Sequence, residues 1–174
     1  MGHSLGGYIA TEVAIENKNI IEKLVLIDSS GMLTQPTPLL MQYLGIAMDP
    51  EPTYERIKKI FEQMYANPLM LHPLVVNAFI RTIKEPGAKH AFKTAFDDST
   101  TRPIESERLK EVKDIPCLII WGKYDNVIPL DHLKKFKEVF NNAAVEIIEN
   151  AGHAPFVEKT ALVYEKLRSF LTHT

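Results

Sequence analysis

The sequence predicts an α/β protein in which a partial, doubly wound parallel sheet is interrupted by an all-helical segment. Two observations lead to this prediction. Short apolar runs, each followed by turn residues and a helical pattern, occur near both ends of the chain. The long middle segment contains many prolines and several one-sided helical patterns, without a convincing strand pattern. Strands that alternate with helices are typical of a parallel sheet covered on both faces.

The first predicted region, residues 1–31, begins with a Gly-x-Ser-x-Gly pattern at residues 2–6. In this pattern the serine lies on a tight turn between a strand and a helix, where glycines avoid steric clashes. Apolar residues at helical spacing follow Ser4, so a helix is expected to start there. The apolar run at residues 24–27 predicts a buried parallel strand that ends at Asp28. No strand is predicted before the serine, because the sequence begins one residue before the motif.

Residues 32–112 are predicted to form a helical cap inserted between two parts of the sheet. Residues 53–65, 73–83 and 88–96 each carry apolar side chains on one helical face. Methionines are frequent in this segment and occur at positions 32, 41, 48, 64 and 70. We interpret them either as filling of a small core or as an adaptable wall for an apolar substrate.

Residues 113–174 are predicted to return to the sheet. The apolar run at residues 117–121 predicts a second buried strand, residues 145–148 predict a third strand, and a helical pattern at 130–140 lies between them. A last amphipathic helix closes the chain. The single cysteine, Cys117, lies in the first of these runs and is interpreted as a small buried hydrophobe.

The composition excludes several classes of function. Of the 174 residues, 45% are hydrophobic and 24% charged, as in an ordinary globular domain. The formal net charge of −2 gives no electrostatic basis for nucleic-acid binding. Neither a signal-peptide pattern nor an uncharged run of roughly 18 residues is visible, so no membrane association is predicted and a cytoplasmic location is expected.

Three residues have the chemistry of a nucleophile, an acid and a base. A serine hydroxyl needs a base that takes its proton, and that base needs an acid that orients it. Asp125 and His153 each follow a predicted strand, in the chain order Ser, Asp, His. Because reactive groups gather at the carboxyl ends of parallel strands, we predict that Ser4, Asp125 and His153 form a catalytic triad. The backbone N–H of Leu5 is the predicted donor to the oxyanion.

Other candidate residues have two interpretations each. Asp28 also directly follows a predicted strand and could serve as the acid, although the serines after it favour a simple turn. His3 is expected to point away from Ser4, because side chains alternate along an extended chain, and to be structural. Arg81 in the cap could bind a substrate carboxylate or could be a solvated helix residue. The remaining histidines lack metal-ligand spacing, so no metal site is predicted.

The sequence resembles the α/β-hydrolase fold superfamily over its whole length. The residues that carry the resemblance are GHSLGG at 2–7, WGKYD with VIP at 121–129, and GHAP at 152–155. The resemblance implies that the sheet corresponds to strands six to eight of that fold, with the cap between strands six and seven. It is strongest to capped esterases and meta-cleavage-product hydrolases. It implies a serine hydrolase of esters or carbon-carbon bonds that needs no cofactor and acts on a small apolar carbonyl substrate.

The same resemblance implies that the strand before Ser4 and a second oxyanion donor belong to a part of the fold outside this sequence. Losing one such donor commonly costs on the order of a hundred- to a thousandfold in rate, so reduced or no activity is expected of this chain alone. The strand at 24–27 would then have a bare edge, which predicts self-association or pairing with another chain. A second hypothesis is therefore a non-catalytic fragment or truncated paralogue that acts as an assembly partner. A third is cofactor-free oxidation or lyase chemistry on the same fold.

Overall fold

A computed structural model describes residues 1–32 and 35–172, apart from the side chains of Thr101 and Ser106. It contains a parallel sheet in the order β1-β2-β3-β4, with strands β1 (Gly2–His3), β2 (Leu24–Ile27), β3 (Cys117–Gly122) and β4 (Ala144–Ile148). The helices of the described residues are α1 (Leu5–Glu16), α2 (Pro38–Met48), α3 (Tyr54–Glu62), α4 (Pro73–Lys84), α5 (Ala88–Thr101), α6 (Ser106–Leu109), α7 (Leu133–Val139), α8 (Pro155–Glu158) and α9 (Thr160–Thr172).

The predicted parallel sheet is confirmed, but it has one strand more than the sequence pattern indicates. Strand β1 precedes Ser4 and pairs with the end of β2, where Gly2 lies opposite Leu26 and His3 opposite Ile27. The expectation that no strand precedes the motif is therefore wrong. Two residues are enough to form a strand here, because the backbone groups at the edge of β2 are available to pair with them. Strand β1 covers the C-terminal half of the β2 edge, whereas Leu24 and Val25 have no partner strand on that side among the described residues.

The sheet carries helices on both faces, as a doubly wound arrangement requires. Alternate residues of β2 and β3 point to opposite faces. One face packs against α1 and α7, and here the rings of Trp121 and Phe136 lie 5.9 Å apart. The other face packs against α9, where Val163 is buried and Leu167 and Phe170 are partly buried. The predicted interpretation of Cys117 is confirmed, since it is buried in β3 and burial raises its thiol pKa to about 12.

Between β2 and β3 the described residues form helices and no strand. We call residues 35–112 the helical insertion; it lies within the predicted cap segment. Helices α2 to α5 bury an apolar cluster of their own, in which neighbouring rings lie 5.0–6.3 Å apart and belong to Tyr43, Phe61, Phe79 and Phe92. Its buried members belong to neither of the two clusters that cover the sheet, although Ile60 and Met64 pack against one of those clusters as well.

Local sequence signals set where these helices begin. The hydroxyls of Thr37 and Thr53 accept backbone N–H bonds from the first turns of α2 and α3. Helix α4 begins at Pro73, whose fixed φ suits a first helical position.

The methionines of the predicted cap segment, residues 32–112, do not share one environment. Met32 is buried in the cluster beneath the sheet, whereas Met41 and Met70 are 48% and 40% exposed. Met64 is partly buried and contacts both that cluster and the cluster of the insertion. Within residues 1–32 and 35–172, none of the helices has the length and apolar character that a membrane span requires.

Candidate active site

Ser4 lies on a strained turn between β1 and α1. Its φ is 52° and its ψ is −124°, a combination that residues other than glycine rarely adopt. The turn is tight, because a side chain at Gly2 would overlap the backbone of Gly6. A side chain at Gly7 would overlap Ser29, which follows β2. The glycines at positions 2 and 7 are therefore required by the close approach of β1, α1 and β2.

The strained turn is held through the backbone of Ser4. Its N–H donates to Ile27 O at 3.0 Å, at the end of β2. Its carbonyl oxygen accepts hydrogen bonds from Ser30 N at 3.1 Å, Ser30 Oγ at 3.2 Å and Gly7 N at 2.9 Å. Leu5 is the first residue of α1, so its N–H has no acceptor within the helix and lies at the positive end of the helix dipole.

Asp125 and His153 meet at the carboxyl ends of β3 and β4. His153 Nδ1 donates to Asp125 Oδ2 at 2.8 Å, and the two residues are only 8% and 5% exposed. Asp125 Oδ1 accepts the backbone N–H groups of Val127 at 2.7 Å and Ile128 at 2.9 Å. With the proton on Nδ1, the other ring nitrogen of His153 is the one that can accept a proton. The arrangement therefore provides an oriented base.

Ser4 is linked to this pair through its neighbour, His3. The His3 ring lies 4.7 Å from the His153 ring, and His3 Nε2 donates to the backbone oxygen of His153 at 2.6 Å. Among the hydrogen bonds of the described residues, none joins Ser4 Oγ to His153. Catalytic hydrogen bonds are often long before substrate binds and shorten in the complex, so the absence of this bond does not exclude the predicted triad.

His3 is neutral near pH 7. Burial, and then the nearby His153, lower its pKa from 6.5 to about 4. His3 is expected to be structural, and in the structure its ring bonds to the backbone of the loop that carries His153. No sequence signal indicates this contact, since the two residues lie 150 positions apart.

Asp28, the alternative acid, lies beside the pair but does not bond to His153. It is completely buried, and its Oδ1 accepts the backbone N–H of Gly122 at 2.8 Å. Burial, and then the charge of Asp125, raise the pKa of Asp28 well above its ordinary value of 3.8. Ligand-type atoms of Asp28, Asp125 and His153 lie within 4.8 Å of one another. A hydrogen bond joins Asp125 to His153, and the bond of Asp28 to Gly122 holds it against β3 next to them.

The helical insertion contacts the loop of the base directly. His153 N donates to Met64 O at 2.7 Å. The carboxylate of Glu158 joins both parts, because it accepts the N–H of Asn67 at 2.8 Å and the N–H of Gly152 at 2.6 Å. A side chain at Gly152 would overlap the backbone of Met64, so the two segments approach closely. The contact fixes the His153 loop against the insertion.

Residues 1–160 match the family described as alpha/beta hydrolase fold. The chain belongs to this family. It is 23% identical to an uncharacterized hydrolase, YugF, of Bacillus subtilis over 98% of the chain and 64% of that protein. It is 27% identical to Lipase 1 of Psychrobacter immobilis over 98% of the chain and 55% of the lipase. The fold resembles a meta-cleavage product hydrolase from Pseudomonas fluorescens, with a TM-score of 0.83, 19% identity, and coverage of 98% of this chain and 62% of that one.

These comparisons confirm the predicted fold superfamily, and they identify the relatives as hydrolases. The α/β-hydrolase chain spans between 55% and 64% of the length of the two sequence relatives named above.

Arg81 is the predicted site residue that the structure does not bring to this α/β-hydrolase centre. It is exposed in the last turn of α4 and lines an open pocket of about 450 Å³ with Thr82, Glu85, Pro86, Gly87, Ala88 and Ala91. Within the described residues it forms no hydrogen bond or ion pair with Ser4 or the base. Sequence reasoning missed Glu158, because one of its two N–H donors, Asn67, lies 91 positions away and leaves no local pattern.

Proposed function

We propose that this α/β-hydrolase chain carries the catalytic residues of a serine hydrolase acting on small apolar carbonyl compounds. The observation that carries the proposal is the buried 2.8 Å hydrogen bond between His153 and Asp125, at the end of the sheet where Ser4 occupies its strained turn. An oriented base next to a serine at a helix N-terminus is the arrangement that nucleophilic catalysis needs.

The geometry supports a two-step mechanism. Ser4 Oγ attacks the carbonyl carbon, and its proton passes to His153 Nε2. Asp125 stabilises the imidazolium through Nδ1. The tetrahedral oxyanion lies at the start of α1, where the Leu5 N–H donates to it. Collapse of this intermediate breaks the bond to the leaving group, which takes the proton from His153, and water then releases the acyl group by the reverse route.

The substrate class follows from two supporting observations. The relatives named above include a lipase and a meta-cleavage product hydrolase, which supports a carboxylic ester or a carbon-carbon bond next to a carbonyl. The helical insertion contacts the His153 loop, so its apolar helices are in position to cover a bound substrate. We propose no cofactor, because the serine, base and acid supply the nucleophile and both proton transfers.

A fluorophosphonate probe tests the proposal. The probe reacts with activated serines, so we expect labelling of the chain, with the modified peptide mapped to Ser4 by mass spectrometry. Ser4→Ala should abolish labelling. Ser99→Ala is a matched control and should label like the parent chain, because Ser99 is a buried serine of α5 whose hydroxyl donates to Phe96 O. Equal labelling of Ser4→Ala would exclude Ser4 as the nucleophile.

A second candidate function is that of an assembly partner without catalysis. It is favoured by the open edge of β1, a strand of only two residues, since exposed strand edges pair with other chains. Light scattering on the purified 174-residue chain, combined with p-nitrophenyl ester turnover, separates the two candidates. A monomer that turns over the ester contradicts this candidate, whereas a stable oligomer without turnover supports it.

A further inference from the structure

Asp28 occupies an unusual position for an aspartate. It is 0% exposed and adopts a left-handed φ of 42° directly after β2. Its N–H donates to Ile120 O at 3.0 Å, and its Oδ1 accepts the N–H of Gly122 at 2.8 Å. Both partners belong to β3, the strand that leads into the Asp125 loop. Asp28 is therefore fixed beside the acid of the proposed triad by its backbone and by one carboxyl oxygen.

The second oxygen, Asp28 Oδ2, is buried and has no hydrogen-bond partner among the described residues. A charged oxygen in such a place would lose its hydration without compensation, which is costly. The polar groups that face it are Asp125 from the loop after β3, His153 from the loop after β4 and, at longer range, Glu158 from α8. Two of these are carboxylates, so the surroundings favour a proton on Asp28.

Asp125 is the member of the pair that must carry the charge. Its two oxygens accept three N–H hydrogens, from Val127, Ile128 and His153. Two carboxylates this close in a dry site cannot both ionise. The raised pKa of Asp28 agrees with this division, because burial and then the charge of Asp125 outweigh the opposing Gly122 N–H.

We propose that Asp28 is a neutral carboxylic acid at working pH and that its Oδ2–H donates to Asp125, so that Asp28 is a positioning residue for the Asp125–His153 pair. The proton stays on Asp28 throughout the reaction. The added donor stabilises the charge of Asp125 and fixes its carboxyl plane against His153. Only the effect on rate rests on the proposed serine-hydrolase function, since the protonation of Asp28 is a property of the folded chain.

The first test reads protonation directly and needs no activity. The full chain is labelled with ¹³C at the aspartate carboxyl carbons and studied by NMR at pH 7. We expect one resonance at the position of a protonated carboxyl, absent in Asp28→Asn and retained in Asp131→Asn, whose aspartate is exposed and paired with Lys134. Loss of an ionised carboxylate signal in Asp28→Asn would overturn the proposal.

The second test is the pH dependence of stability. Above the ordinary pKa of 3.8 the unfolded chain releases the Asp28 proton, whereas the folded chain keeps it up to its raised pKa. The contribution of Asp28 to stability is therefore complete below 3.8 and is lost as the pH rises towards the folded pKa. Relative to the parent chain, Asp28→Asn should gain stability between pH 5 and pH 8, where the parent's free energy of unfolding falls. A relative loss over that interval would contradict a neutral Asp28.

The third test concerns the positioning role. Asp28→Asn keeps an acceptor for Gly122 and an N–H donor for Asp125, whereas Asp28→Ser is too short to reach Asp125. We expect the rate of fluorophosphonate labelling to fall about tenfold in Asp28→Ser and to be restored in Asp28→Asn. In Asp28→Ser the acid limb of the pH profile of labelling should also move to higher pH. If Asp28→Asn loses labelling as severely as Asp125→Asn, Asp28 is the ionised orienting acid and the proposal is wrong. If the parent chain itself does not label, the proposed function fails while the NMR result still decides the protonation.

Discussion

The acid and base of the proposed triad are held very differently from the nucleophile. The β3–β4 ladder that carries Asp125 and His153 pairs five residues of each strand, whereas the β1–β2 ladder before Ser4 pairs two. The acid and base are buried, and the carboxylate of Asp125 accepts hydrogen bonds from its own loop and from His153. Ser4 is half-buried at the edge of the sheet and is held through its backbone.

This comparison shows which part of the site is rigid and which part depends on the pairing of β1 with the end of β2. Orientation of an imidazole needs fixed partners, and the β3 and β4 loops supply them. The strained turn of Ser4 relies on Ile27 and Ser30 at the end of β2. The His3 side chain connects the two sides through its bond to His153 O. The following predictions test each side and the connection, beginning with the largest expected effect.

Asp125→Asn should disrupt the hydrogen bond between Asp125 and His153. The amide cannot accept from His153 Nδ1 in the same way, so the imidazole loses its working tautomer and its charge partner. We expect Ser4 labelling and ester turnover to fall by about 10⁴-fold, with the fold intact by circular dichroism. Asp131→Asn changes an exposed aspartate by the same chemistry and should leave both rates unchanged. Comparable losses in the two variants would argue against the assigned role.

His3 should make stability depend on pH. The unfolded chain protonates this histidine at 6.5, but the folded chain resists protonation until about pH 4. The unfolded state therefore binds more protons in that interval, so stability is full above pH 6.5 and falls by up to about 3 kcal/mol as the pH drops to 4. Urea unfolding should show a shallower decline for His3→Gln than for the parent. His90→Gln, at an exposed position of α5, is the control. If the stability of His3→Gln declines with falling pH as steeply as that of His90→Gln, the prediction is wrong.

Two glycine substitutions compare the ladders directly. A side chain at Gly122 would overlap the backbone of Gly152, and one at Gly2 would overlap Gly6. Gly122 lies in a strand paired on both sides, so Gly122→Ala should lower the free energy of unfolding by about 1–3 kcal/mol. Gly2→Ala should cost less stability, because β1 can separate from β2, but it should reduce Ser4 labelling. Gly45→Ala, in an open helical position, should instead stabilise by up to about 1 kcal/mol.

Glu158→Gln should give the smallest effect. One oxygen of the carboxylate is replaced by a nitrogen that cannot accept, so either Asn67 N–H or Gly152 N–H loses its partner. We expect a loss of about 1–2 kcal/mol and faster amide exchange at these two positions. Glu165→Gln, at an exposed site on α9, provides the control. Unchanged exchange at both amides would show that Glu158 does not fix the insertion to the His153 loop.

Local pattern in the sequence suffices for most of this fold. Buried strands such as β2 and β3 are continuous apolar runs, and helix α4 lies between a proline and a Pro-Gly pair. The positions of Asp125 and His153 follow from the rule that parallel strands present their carboxyl ends together. These features could be predicted because each depends on neighbours in the chain.

The remaining features depend on distant partners. Strand β1 forms because its two residues pair with the edge of β2. A segment of two residues has no periodic pattern from which a strand could be predicted. The contacts of His3 and Glu158 join loops that are far apart in sequence. The proton proposed for Asp28 depends on burial and on the charge of Asp125, neither of which a strand-exit aspartate reveals.

The aromatic cluster of Tyr43, Phe61, Phe79 and Phe92 has an evolutionary consequence. Because helices α2 to α5 bury an apolar cluster of their own, residues that belong to that cluster alone, such as Ile57 and Val76, can diverge with little effect on the packing of the sheet. Its polar contacts with the base run through backbone atoms, at Met64 O and Asn67 N, which almost any side chain preserves. Under the proposed serine-hydrolase function, a directed library confined to this cluster is expected to alter substrate preference while leaving the His153–Asp125 pair in place.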